Sequence, residues 1–476
     1  MVAMIKRSIL LVFYVLVINN FCIAEHPRRE HKVYYKNTRN ELNVYKLYGE
    51  QDGKTVLILG GIQGDEPGGY LSADLYSDLM LRKGNLIVVP RTNFHSIIKK
   101  RRYINWDMNR RFNVNPGQTY EDKIVAIITD LMKESDLVLN LHDGWGFYSA
   151  EWKGPGRNPN RFGQSIIADA EYYVFNGDTI QLGQMAREAV KKANQHISNS
   201  YHKLHFMNTH TLDKASNFPE MKKSATFYAL TRLGIPAFGI EASKNIDKLE
   251  NKIRYHNYAI NAFLEMMGVV PEFPSVIISP ARLHYMHISI NGDRPVYVAN
   301  QDTLYIYPGD KIEIKKVTSN YDRGVSCNIW GRGTEQDFQK EYSISKETRI
   351  NVKKDSENIG TIYIKFKKID NSQITYVFEN EGKKLSILGG QTVKIKRSAR
   401  FKLISIYSPD LNGNRLKANI KGFVPPVNTN RGEDRNYWLT SNDMWSKYSV
   451  NGQGNKYPIV VKNNGTVVSR AYIEFY

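Results

Sequence analysis

Four short stretches of this 476-residue chain gather side chains that hold cations, move protons or read anions. The first is Gly60-Gly61-Ile62-Gln63-Gly64-Asp65-Glu66-Pro67-Gly68, in which Gln63 and Glu66 stand three apart. That spacing, on a turn that opens a helix, lets two side chains converge on one point. The second is Asp107-Met108-Asn109-Arg110-Arg111-Phe112, the third His142-Asp143-Gly144 and the fourth Glu241. Imidazoles and carboxylates bind metal ions and transfer protons, and a guanidinium grips a carboxylate with two parallel donors. Taken singly, each has a plainer reading. A Gln-x-x-Glu is an ordinary surface pair at a helix start, a His at a strand end is commonly structural, Asp-x-Asn-Arg is often a turn, and a lone Glu caps a helix. Their order along one architecture makes the set specific.

The elements that must position them alternate through the first half. Apolar runs at Val56–Leu59, Leu86–Val89, Leu137–Leu141 and Ala237–Ile240 predict buried strands. Helical periods over Gly69–Leu81, Tyr120–Met132, Ile180–Ile197 and Lys252–Met267 predict the helices between them. Continuous apolar strands separated by helices imply a mixed, mostly parallel sheet with helices on both faces. Three of the four stretches follow such strands, at the ends where open α/β sheets place their sites.

After Pro271-Glu272-Phe273-Pro274 no helical period is visible. Short alternating strands recur instead, among them Val296–Val298, Leu304–Tyr307, Lys311–Lys315, Thr361–Phe366, Thr392–Ile395, Phe401–Ile406 and Ala471–Phe475, with turn signals at Pro308-Gly309 and Asn412-Gly413. This predicts two all-β domains, 271–369 and 370–476, behind an α/β domain over 25–270.

The N-terminus reads as a signal peptide over residues 1–24: Lys6 and Arg7 precede the apolar run Ile9–Ile18, and Cys22-Ile23-Ala24 supplies small residues for cleavage. The run is too short for a stable membrane span, and no later apolar run is long enough. Loss of that segment takes Cys22 with it. Cys327 then remains alone in a strand-like stretch, where it reads as a small buried apolar residue. An exported, disulfide-free chain fits a bacterial periplasm. The net charge of +19 asks for an anionic partner, such as a cell wall, lipid or nucleic acid. The export signal and the absence of a stacked-aromatic RNA or DNA motif argue against nucleic acid.

Over Lys54–Met267 the motifs resemble the zinc carboxypeptidase family that includes carboxypeptidase A, which carries His-x-x-Glu, Asp-x-Asn-Arg, a later His and a catalytic Glu in this order. The likeness is strongest to the exported peptidoglycan carboxypeptidases that set cell shape in helical Gram-negative bacteria, in which a Gln replaces the first His. The resemblance implies that Gln63, Glu66 and His142 hold one Zn2+ per chain and that Glu241 is the base. It also implies that Asn109 and Arg110, with Arg102 just upstream, bind the substrate's terminal carboxylate. It implies a DL-carboxypeptidase acting on peptidoglycan muropeptides, removing meso-diaminopimelate from a tripeptide stem to leave a dipeptide. Other cell-wall or shape proteins would then meet the β-domains.

Several residues stay open at this point. Lys99 and Lys100 read as a solvated basic face, Arg111 fits either role, and Trp145 either walls the pocket or packs in the core. His95 reads as structural. Tyr228 is the nearest counterpart of the family's tyrosine, but its surroundings look helical and no role is carried over to it. The competing reading of the whole chain is a non-catalytic wall-binding scaffold built on a decayed peptidase domain. Metal content would separate the two.

Overall fold

The computed structural model describes residues 28–114, 117–272, 276, 278–293, 295–427 and 432–476. The expected signal segment 1–24, with Cys22, and the Phe273-Pro274 part of the expected linker lie outside the described residues. The chain divides into two compact units. One joins Asn40–Ser279 to the stretch ending at Lys36; the other joins Pro280–Tyr476 to Asn37–Arg39.

The strands of the first unit are β1 (Arg29–Tyr34), β2 (Leu42–Tyr48), β3 (Gln51–Leu59), β4 (Leu81–Val89), β5 (Leu137–Gly144), β6 (Phe147–Tyr148), β7 (Arg157–Asn158), β8 (Ser165–Ala168), β9 (Tyr173–Phe175), β10 (Asp178–Ile180), β11 (His205–Asn208), β12 (Ala237–Ser243) and β13 (Val270–Pro271). The helices are α1 (Pro67–Tyr76), α2 (Phe94–Lys99), α3 (Tyr120–Lys133), α4 (Leu182–Gln195), α5 (Ala225–Leu233) and α6 (Leu249–Met266). The main sheet runs β1-β2-β4-β3-β5-β12-β8-β11, with β13 on β4. Its central block β4-β3-β5-β12 is parallel. β2 and β8 flank that block antiparallel.

Strand alternation explains why this block is covered on both faces. Val56, Ile58, Leu137, Leu139 and Leu141 enter one core with Ala73 and Tyr76 of α1, Ala186 and Ala189 of α4 and Phe263 of α6. Their neighbours Leu57, Leu59 and Val138 enter the other with Ile124 and Ile128 of α3 and Ala225 and Ala229 of α5. A period of two with apolar residues at both phases can be satisfied only between two helical layers.

The structure corrects some boundaries. The helix expected to reach Leu81 stops at Tyr76, and Leu81 opens β4 with Pro271 as its cross-strand neighbour. Ile180 pairs with Tyr173 in the β9–β10 hairpin, so the helix expected from there starts at Leu182. In both cases an apolar residue continues the helical pattern while sitting in a strand, and periodicity cannot separate the two. β1, β2, β8 and β11 were not foreseen.

Among its described residues the second unit has no α-helix; it is built of strands joined by loops and single turns of 3-10 helix. Its first part holds β14 (Leu283–Ile290), β15 (Val296–Ala299), β16 (Thr303–Ile306), β17 (Lys311–Ser319), β18 (Val325–Ile329), β19 (Glu341–Ser343), β20 (Thr348–Lys354) and β21 (Glu357–Phe366). These form sheets β15-β14-β17-β19 and β16-β21-β20-β18, which share one apolar core. Cys327 lies fully inside it, and burial raises its thiol pKa. The second part holds β22 (Thr375–Asn380), β23 (Lys383–Leu388), β24 (Thr392–Ile395), β25 (Phe401–Tyr407), β26 (Leu416–Ile420), β27 (Lys456–Asn463) and β28 (Thr466–Phe475). Its sheets β23-β22-β25 and β24-β28-β27-β26 share a separate core from Ile374 to Phe475.

Candidate active site

The first site loop leaves the C-terminal end of β3 and turns back into α1. Gly61 takes φ +65°, and a Cβ on Gly64 would stand 2.1 Å from the Ser96 carbonyl carbon, so only glycine permits this path. The path buries Gln63 and Glu66, 2% and 3% exposed. Glu66 occupies the N-cap position of α1 yet makes no capping bond. Its Oε2 instead accepts a hydrogen bond from His142 Nδ1 at 2.8 Å. The vacant cap is filled from the next strand: Asp143 Oδ2 accepts from Gly68 N at 2.7 Å. Asp143 Oδ1 faces His256 Nε2 of α6 at 3.1 Å, both side chains fully buried. This pair was not singled out from the sequence. Removing it by His256→Ala leaves a buried carboxylate short of one partner, a loss of about 1–3 kcal/mol. Calorimetry should show a lowered Tm; an unchanged Tm would mean the pair contributes nothing.

His142 lies on β5 and Glu241 on β12, and the two are direct neighbours in parallel register. Burial opposes a charge on His142, but the Glu66 carboxylate against its ring outweighs this and raises its pKa. Glu241 Oε2 is buried with no hydrogen-bond partner among the described residues. Burial, reinforced by Glu66 and Asp143 against the opposing pull of His142, pushes the Glu241 carboxyl up to about 8. A cation bound nearby would lower it again.

Asp107 is the organiser of the other wall. It accepts from Gln63 Nε2 at 3.1 Å, from Arg102 Nε at 3.1 Å and from the Asn109 backbone at 3.0 Å. With its amide nitrogen so engaged, Gln63 keeps its Oε1 for another partner. The other end of the Arg102 guanidinium lies 3.8 Å from Glu66 Oε1. Asn109 Oδ1 accepts from Ala225 N at 3.0 Å and from Asn140 Nδ2 at 3.4 Å, which turns its Nδ2 toward His142 Nε2 at 3.5 Å. Arg110 Nη1 donates to the Asn109 carbonyl at 2.9 Å. Burial lowers the Arg110 pKa; Asp107 opposes this and the nearby Arg102 charge adds to it. Two close guanidiniums are a natural seat for an anion.

Gln63, Glu66, Arg102, Asn109, Arg110, His142 and Glu241 all line one cavity of about 490 Å³. Trp145 is 62% exposed at its wall, with Lys244 Nζ 5.8 Å from the ring centroid, so it is not core. Arg111 pairs with Asp122 at the start of α3 and is structural. His95 and Tyr228 lie on α2 and α5, away from the cavity lining. Sequence reading missed Asn140 as a site residue, though a lone Asn within the apolar run Leu137–Leu141 was a visible signal.

Among the described residues no cluster of three or more His, Cys, Asp or Glu side chains forms a metal cage. Gln63, Glu66 and His142 line one cavity, with Glu66 and His142 in direct contact, and offer an amide oxygen, a carboxylate and an imidazole. Three neutral and anionic O/N donors are of the number and kind that would hold a catalytic divalent ion.

The crystal structure of the tripeptide-bound cell shape determinant Csd4 from Helicobacter pylori matches with TM-score 0.53 at 22% identity, over 91% of this chain and 100% of that one. The mDAP-bound form of Helicobacter pylori Csd4, described as a D,L-carboxypeptidase, matches with TM-score 0.51 at 23% identity, over 89% and 97%. These likenesses establish a shared fold. No curated protein matches the chain. Residues 36–286 match the family described as the catalytic part of carboxypeptidases controlling helical cell shape. The chain belongs to that carboxypeptidase family.

Proposed function

We propose that the chain is a periplasmic zinc carboxypeptidase that trims peptidoglycan stem peptides, removing meso-diaminopimelate from a tripeptide to leave a dipeptide. The observation that carries this is the buried Glu241 carboxylate beside His142, its Oε2 without a partner among the described residues, in a cavity that also holds two guanidiniums. The bound tripeptide and mDAP in the Csd4 structures support the choice of substrate. The basic and apolar opening of the sequence and the net charge of +19 support a place against the wall. We also read the chain as three domains, 25–270, 271–369 and 370–476, since two separate β-cores follow the first unit.

In this reading Gln63, Glu66 and His142 hold one Zn2+. The ion supplies Lewis-acid chemistry, acidifying water and polarising the scissile carbonyl. Everything else falls to the chain's own groups. Arg102 and Arg110 seize the terminal carboxylate, with the Asn109 amide beside them, which fixes the last peptide bond in the cavity and excludes longer C-terminal extensions. Glu241 accepts a proton from water and returns it to the departing amine. Asp107 keeps Gln63 and Arg102 in register, so metal binding and carboxylate binding share one anchor.

The direct test is incubation with defined di-, tri-, tetra- and pentapeptide muropeptides. Release of diaminopimelate from the tripeptide alone is expected, and cleavage inside longer stems would overturn the exopeptidase reading. Arg102→Ala or Arg110→Ala removes a charge-assisted donor worth ~1.5–3 kcal/mol, roughly a ten- to hundredfold loss in kcat/KM. Amidating the substrate's C-terminus should weaken the wild type similarly. Equal rates on acid and amide would exclude this role for the two arginines.

A further inference from the structure

The outer face of sheet β16-β21-β20-β18 is unlike an ordinary solvated surface. Leu304, Ile306, Ile350, Val352, Ile362 and Ile364 point into the core. The alternate positions carry Tyr305 and Tyr363, 53% and 42% exposed, and Trp330 just past β18 is 57% exposed. Between them stand the exposed cations Arg349 and Lys365. Register orders them: Tyr363 is opposite Arg349, whose carbonyl accepts from Trp330 N at 2.9 Å, and Tyr305 is opposite Lys365. The Arg349 guanidinium lies 4.7 Å from the Trp330 ring centroid. Neither Arg349 nor Lys365 forms an ion pair with a carboxylate among the described residues. Four strands at ~4.8 Å spacing stretch this aromatic and cationic row over roughly 14 Å.

Tyr305 also belongs to a second feature. With Tyr307, Lys367, Asp410, Asn412 and Arg415 it lines a polar groove of about 410 Å³ within the same unit. The groove mixes donors and acceptors, including carboxylate, so it suits hydroxyl and amide groups and is not a site for anions alone.

We infer that this face and groove bind the glycan strand of peptidoglycan. Ring faces left open to solvent stack on the C–H faces of pyranose sugars, which removes apolar surface from water on both partners. The unpaired Arg349 and Lys365 meet the carboxylates of the stem peptides attached to that strand. The groove supplies hydrogen bonds to hydroxyls and N-acetyl groups. The inference rests on the reading that the chain works on peptidoglycan, and it adds a second point of attachment that raises the local concentration of stem peptides.

The test uses the full chain carrying Glu241→Gln, so that the wall is not consumed, and measures co-sedimentation with purified sacculi and binding to peptide-free glycan chains. The double variant Trp330→Ala, Tyr363→Ala is expected to bind both about tenfold more weakly or worse, while Tyr363→Phe, which keeps the ring, binds as before. Arg349→Gln with Lys365→Gln should weaken binding to sacculi and flatten its salt dependence, yet leave peptide-free glycan binding in place. These two positions are exposed, so this variant reads the face even if the double alanine variant fails to fold. Absent sacculus binding, full binding by the alanine and glutamine variants, or a single-stranded oligonucleotide bound on this face as tightly as glycan would each overturn the inference. Hydrolysis of soluble tripeptide by the Glu241 chain is measured separately. Cleavage without sacculus binding defeats only the glycan face; sacculus binding without cleavage defeats only the proposed reaction.

Discussion

Glu241→Gln is expected to cut tripeptide turnover by about 10²–10⁴-fold, the usual contribution of a positioned general base, while metal content stays at the wild-type level. The substitution is nearly isosteric. Its amide fits the buried slot beside His142, where Gly144 already approaches so closely that a Cβ there would lie 2.8 Å from Glu241 Oε2. It cannot accept a proton, so chemistry should fail with the fold intact. Glu241→Ala should fail as completely. Turnover by either variant at the wild-type rate, measured by release of diaminopimelate, would remove Glu241 from the mechanism.

Gln63→Ala should lose both metal and activity, whereas Gln63→His should hold metal at least as tightly as wild type. The reasoning is one of donor strength. An amide oxygen is a weaker ligand to zinc than imidazole, so the wild-type site should surrender its ion to a chelator sooner than a site with two histidines. Asp107 is already in place to receive an N–H from either side chain, since it holds Gln63 Nε2 at 3.1 Å. Zinc content and muropeptide cleavage after dialysis against a chelator read both arms. Full zinc and full activity in Gln63→Ala would show that Gln63 is no ligand, leaving Glu66 and His142 to find another partner.

Much of this was legible because the chemistry sits at strand ends, and buried parallel strands announce themselves. Val56–Leu59, Leu137–Leu141 and Ala237–Ile240 are apolar runs, broken by a polar side chain only at Asn140, and that residue and the polar residues at their ends are the ones brought into one cavity. What stayed hidden depends on partners remote in sequence. Asp143 and His256 are 113 residues apart, and nothing local marks a helical His on an otherwise apolar face as the partner of a strand-end Asp. Asp107 was visible within its motif, but its grip on Gln63, 44 residues away, is a tertiary fact. The short strands β8 and β11 escaped for a related reason. Four residues each give too little periodicity, and they exist because β12 and β8 supply edges for them.

The cap that Glu66 declines has an evolutionary consequence. Asp143 serves α1 only because Glu66 is turned toward His142, so the helix start and the cavity compete for one side chain. Asp143 already takes the Gly68 N–H, so a Ser or Asp at position 66 could cap only what is left, a gain at the low end of the usual range of about 0.5–2 kcal/mol, while abolishing the carboxylate's contact with the imidazole. Selection for stability alone would therefore push position 66 away from glutamate. Its presence marks a trade of folding free energy for function, and a chain of this fold that had lost its activity would be free to drift first at this position.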